Sequence, residues 1–150
     1  MSGPRTYSFL NVKATIIGPN GAVILGSDAG VVDEGITAEY TDQKNTLTAG
    51  ADGAWMHSLH ASKVGQVSVR FLKNSPTNAL LSAMYNADTS NPASHGQNVI
   101  AVTDLGALDV CSGAGCAFKK HPNVVYSKDG PMLEWIFDVG RLDIMLGDGI

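Results

Sequence analysis

Two runs of alternating polarity, Trp55 to Ser62 and Gly65 to Leu72, flank Lys63 and Val64 and restrict what this chain can fold into more than any other feature. Period-two alternation belongs to a strand with one dry and one wet face. On the first run Trp55, Leu59 and Ala61 share a face with His57, while Met56, Ser58, His60 and Ser62 share the other. On the second, Val67, Val69 and Phe71 oppose Gln66, Ser68 and Arg70. The pattern predicts a hairpin closed by a short turn at Lys63 and Val64. Ser75 and Pro76 then supply a capping hydroxyl and a proline at a first helical position, so an amphipathic helix is expected from Pro76 to about Asn86. It would cover the apolar side of the hairpin and leave a small, smooth polar side exposed.

The rest of the chain reads as short strands and turns, as 17 glycines and only 16% charged residues in 150 suggest. This length suits one domain over residues 1–150 with a real core. Strands are expected at Tyr7 to Ile17, Ala22 to Leu25, Ile36 to Asp42, Asn45 to Ala49, Asn98 to Thr103 and Leu108 to Cys111. Gly18 to Gly21 and Gly50 to Gly53 are turns, Gly26 to Gly35 an acidic loop, and Ala87 to Gln97 a loop. In Pro131 to Leu146 the apolar residues Leu133, Trp135, Phe137 and Val139 have one parity and Leu142, Ile144 and Leu146 the other. That change of phase predicts a bulge or bend at Gly140. Both tryptophans fall on apolar faces and are expected in the core.

Site chemistry is sparse. A net charge of −4 opposes a protein that grips nucleic acid, which needs clustered Lys and Arg. His57 and His60 are three apart on a predicted strand, so their rings diverge and no shared metal is expected. Cys111 and Cys116 enclose a Gly-rich stretch read as a turn. They are expected to stay thiols, with a disulfide across that turn as the alternative. Gly113 to Cys116 lacks the third glycine and the helix of a dinucleotide site. Asp138 and Arg141 flank the proposed bend as a structural ion pair. No cofactor and no enzyme activity are expected. The first 30 residues lack a basic start followed by an apolar run, and nothing approaches the roughly 18 apolar residues of a membrane span. A soluble protein made in the cytosol, without membrane binding, is the expectation.

Certain segments nevertheless stand together in a telling order: TxxGPNG, DEGITAEY, the run from Lys44 to Asn86 containing MHSLHA and SPTNALL, then HGQN, AFKKHP and EWIFDVGRLD. In this the chain resembles the tail tube proteins of contractile-tailed bacteriophages over nearly its whole length. The resemblance implies a mainly β, sandwich or barrel subunit with one short flanking helix, similar to the tubes of type VI secretion systems and tailocins. It further implies homohexameric rings stacked into a tube in the virion tail, with sheath outside, tape measure protein and then DNA inside, and baseplate and tail terminator at the ends. Six subunits giving four strands each would make a barrel of about 24 strands with a lumen of about 35 to 40 Å, wide enough for duplex DNA.

On that resemblance the lumen-facing candidates are Glu39, Ser58, His60, Ser62, Gln66 and Ser68, and Arg70 either has an acidic partner such as Glu39 or lies beyond the lumen. The inter-ring candidates are Asp28, Asp33 and Glu34 in the acidic loop, Asp52 in the turn, and Lys119, Lys120 and His121 in the basic cluster. Two other readings remain: a monomeric β-sandwich that binds a ligand such as a sugar on Trp55 or Trp135, and the tube subunit of a tailocin or secretion device.

Overall fold

A computed structural model describes residues 12–25, 31–106 and 108–147, with the backbone alone at 31–34. The element order is β1 (Val12–Gly18), β2 (Gly21–Ile24), β3 (Val31–Tyr40), β4 (Asn45–Ala49), β5 (Trp55–Leu59), β6 (Gly65–Leu72), α1 (Thr77–Ser90), β7 (Asn98–Asp104), β8 (Asp109–Lys120) and β9 (Met132–Met145). Among the described residues seven strands form one antiparallel sheet in the order β2-β1-β7-β8-β9-β6-β3, and β4 pairs with β5 separately. Over the described residues the fold is mainly β with one helix, as the resemblance implied.

Alternation sets which residues are buried. Val67, Val69 and Phe71 of β6 are fully buried, as are Ile16 of β1 and Trp135 and Phe137 of β9. The sheet curls so that Ile36 and Ala38 of β3 approach Val12 of β1 and Val102 of β7 across the interior. Burial of this apolar surface is the main stabilising term, at about 25 cal/mol per Å². Helix α1 closes one end of the curl with Leu81 and Met84. Its start is fixed by the Ser75 hydroxyl, which accepts from the Thr77 amide at 3.4 Å, and by Asn78. The Asn78 amide donates to the Leu72 carbonyl at 2.7 Å, and its Oδ1 accepts from the buried Trp135 indole at 3.0 Å. Phe118 stands edge-on to Trp135 and Tyr85, at 5.8 and 5.6 Å between ring centres, and locks β8 to the helix.

The turn from Gly18 to Gly21 and the strand after it stand where the sequence places them. Strand β4 also spans Asn45–Ala49 as expected. The expected β5–β6 hairpin is not formed. Strand β5 pairs with β4, whereas β6 lies between β3 and β9 with Arg70 opposite Glu134 and Gln66 opposite Asp138. Alternation identifies both strands but carries no information about partners. The chain from His60 to Val64 is too long for a tight turn and joins two separate sheets.

Four residues assigned to a loop, Ala87 to Ser90, extend the helix, because Asp88 is buried at its end and bonds the side chains of Asn98 and Asn20. Residues 31–35, read as part of the acidic loop, belong to β3, whose pairing with β6 shifts between Val31 and Ile36. The stretch from Cys111 to Cys116 is strand interior rather than a turn.

The change of phase in β9 occurs where it was expected, between the buried Val139 and Leu142. Its cause is a bend shared by two strands. Gly115 of β8, at φ +64°, stands against Gly140, and the β8–β9 register continues unbroken from Ala114 opposite Arg141 to Cys116 opposite Val139. The offset is taken up on the other side, where β8 shifts against β7 between Asn98 and Ile100.

Candidate assembly surfaces

The outward face of β3, β6 and β9 collects three of the six lumen candidates. Glu39 stands opposite Gln66, which stands opposite Asp138, and Ser68 lies one rung further along. The Gln66 amide donates to Asp138 at 3.2 Å. Arg70 pairs with Glu134 at 2.6 Å, so its acidic partner is on β9 and not Glu39 as expected. Asp138 is thereby engaged by Gln66, and Arg141 pairs instead with Asp143 at 3.3 Å, which corrects the expected Asp138–Arg141 pair. Lys63 also reaches Asp143, at 2.9 Å, and this hydrogen bond, helped by Arg141, holds the Asp143 carboxyl below the usual range.

Ser58, His60 and Ser62 are elsewhere, because β5 left the main sheet. Ser58 faces Thr46 on the β4–β5 hairpin. His60 and Ser62 line a shelf of about 500 Å³ at its base, where His60 Nε2 meets the Thr46 hydroxyl at 2.7 Å and Ser62 donates to Asp42 at 2.7 Å. His57 Nδ1 meets the Asn45 amide at 3.1 Å. Among the described residues no group of three His, Cys, Asp or Glu could hold a metal ion. Cys111 and Cys116 are both free thiols, and burial pushes both up, Cys116 to about 11.

The hairpin itself is the feature the sequence reading missed. Leu47 opposite His57, Ala49 opposite Trp55 and Leu59 opposite Asn45 make one face, on which Leu47 is 60%, Trp55 72% and Leu59 86% exposed. Trp55 is therefore not in the core, unlike Trp135. Alternation was the available signal, but it reports that a strand has an apolar side and not whether its own chain covers that side.

The remaining candidates sort by the ends of the sheet. Lys119 and Lys120 are exposed at the last residues of β8, near the loop 121–131. His121 is not part of an open basic patch. Its ring packs 5.0 Å from Trp135 and 5.4 Å from Tyr85, with Nδ1 donating to the Pro122 carbonyl and Nε2 at 3.2 Å from the Ser82 hydroxyl. Asp52 lies at the hairpin tip, bonded to the Ala54 amide. Asp28 and the side chains of Asp33 and Glu34 lie outside the described residues. At the end opposite Lys119 and Lys120 a cavity of about 280 Å³ opens between Ile36, Val102, Cys111 and Ile144, bordered by Asp104 and Asp109.

Residues 4–147 match the family described as Bacteriophage PhiTE tail tube protein. No curated protein matches the chain. Among solved structures, the cap that terminates the tube of the anti-feeding prophage is similar at 12% identity and a TM-score of 0.58, covering 98% of this chain and 95% of that one. The sheath/tube terminator of the PVC extracellular contractile injection system is similar at 13% identity and a TM-score of 0.58, over 96% and 99%. A chain of the PVC sheath-tube complex follows at 10% identity and 0.54, over 89% and 88%. At such identities these structures show a shared fold.

Proposed function

Because the chain belongs to the Bacteriophage PhiTE tail tube protein family, and is thus a structural tube subunit rather than an enzyme, we propose that six copies close into a ring and that rings stack around a lumen through which DNA passes. The observation that carries this reading is the projecting β4–β5 hairpin. An isolated two-stranded hairpin is marginal in water, and this one displays Leu47, Trp55 and Leu59 with nothing among the described residues to cover them. A neighbouring copy supplies the cover. The edges of the main sheet at β2 and β3, without ladder partners among the described residues, invite the same conclusion, since ring closure removes edges that otherwise aggregate.

The face of β3, β6 and β9 suits the lumen. Glu39, Glu134 and Asp138 outnumber Arg70, which is itself held by Glu134. Such a surface repels phosphate, so DNA passes without adhering. Sheath outside the tube, terminator and baseplate at its ends, and tape measure protein inside complete the assembly in the virion tail.

Exposed Trp55 is also what a sugar-stacking module would offer. Its surroundings, Ala49, Leu47 and Leu59, suit a protein surface better than hydroxyl groups. Electron microscopy of the purified protein at high concentration decides the matter. Hollow rings or tubes with six-fold end views are expected. Compact monomers that persist when a tube end is added as nucleus overturn the proposal.

A further inference from the structure

The loop 121–131 ends in a group of side chains that the fold leaves outside. Val124 is 40%, Val125 55% and Tyr126 86% exposed, although Pro122 just before them is buried and anchors the loop. Lysines surround this tip: Lys119 and Lys120 precede it, Lys128 follows it, and Lys73 stands 5.7 Å from the Tyr126 ring centre. At the other end of the same strand pair lies the complementary form. The cavity between Ile36, Val102, Cys111 and Ile144 is apolar inside and acidic at its border, where Asp104 and Asp109 face each other across the β7–β8 turn. Its volume, about 280 Å³, is just under the range of about 300–1,000 Å³ typical of small-molecule sites and suits a few side chains.

We propose that Val124, Val125 and Tyr126 of one copy seat in the cavity at the opposite end of the next copy, with Lys119 and Lys120 facing Asp104 and Asp109. This rests on the tube reading and names the contact that stacks its rings. A chain cannot satisfy itself in this way. Strand β8 runs 12 residues from Asp109 at the cavity to Lys120 at the loop, a separation of about 40 Å. The two surfaces differ, so the contact is heterologous, and repeated along an axis it does not close. Opposite charges at the rim fix polarity and register.

Cys111 on the cavity wall makes the contact directly testable. The Tyr126→Cys protein, concentrated until tubes are visible and oxidised with diamide, should give a ladder of disulfide-linked multimers in steps of one chain on non-reducing gels. The ladder should vanish in Tyr126→Cys/Cys111→Ser. A single dimer band overturns the proposal, because it marks a closed contact. Tubes without any crosslink overturn it while leaving the tube reading intact. In parallel, Val125→Asp should give rings that do not stack. Tubes of normal length from that variant overturn the inference, and absence of both rings and tubes from the unmodified protein, even with a tube end added as nucleus, overturns it together with the tube reading.

Discussion

At the scale of single residues, the close contacts are those a sequence does not disclose. Gly65 begins β6 beneath Leu142, and a Cβ there would overlap Leu142 Cδ2 and stand 2.6 Å from the Glu39 carbonyl oxygen. Gly65→Ala should therefore destabilise by about 1–3 kcal/mol, measured by urea unfolding, as overpacking does. Asn78 is buried and joins three elements, since it opens α1, donates to Leu72 and accepts from Trp135. Asn78→Leu leaves the indole N–H without its acceptor and should cost about 1–3 kcal/mol by the same measurement. In sequence this asparagine looked like an ordinary first-turn polar residue.

Cys116 is a third case. Burial raises its thiol to about 11, with the Ile100 hydrogen bond opposing and nearby Cys111 adding. The folded value exceeds the unfolded one. Its contribution to stability is thus complete below the ordinary thiol range, near 9, and is lost as pH rises through about 11. Alkaline unfolding should weaken in Cys116→Ala relative to its own stability at pH 7, and Cys116 should resist iodoacetamide at pH 8 until urea is added.

Among the elements, what alternation reveals and what it omits can be told apart. The inward sides of β6 and β9, the turn at Gly18 to Gly21, the start of α1 and the phase change near Gly140 were all legible, because each follows from local chemistry or from a single buried face. The pairing of β5 was not, since a strand's apolar side looks the same whether its own core or another molecule covers it. The same limit placed Ser58, His60 and Ser62 beside Gln66 and Ser68, when Ser58 belongs to the β4–β5 pair and His60 and Ser62 to the connection that follows it. The hairpin consequently contributes little to the monomer's own core. Leu59→Ser together with Leu47→Ser should leave the unfolding free energy of the dispersed protein within about 0.5 kcal/mol but abolish assembly, as seen by sedimentation.

For the molecule as a whole, direction matters. Strand β8 runs between an end with Lys119 and Lys120 and an end with Asp109, which stands opposite Asp104 of β7. Lys120→Glu should slow tube growth without changing thermal unfolding, and the growth rate of the unaltered protein should fall between 0.05 and 0.5 M salt, conditions chosen because the Debye length there shrinks from roughly 14 to 4 Å. Strand β9 has 14 residues, about 46 Å of chain, which at a tilt of about 40° implies an axial repeat of about 35 Å for electron micrographs to check.

The unequal burial of the two tryptophans, Trp135 at 0% and Trp55 at 72% exposed, has an optical consequence. The emission of a monomer is a sum of one blue and one red component. Iodide should quench only the red one, and whatever covers the hairpin should shift that component to shorter wavelength while the other stays fixed. Subunit joining can therefore be followed in real time by the protein's own light, with no label attached.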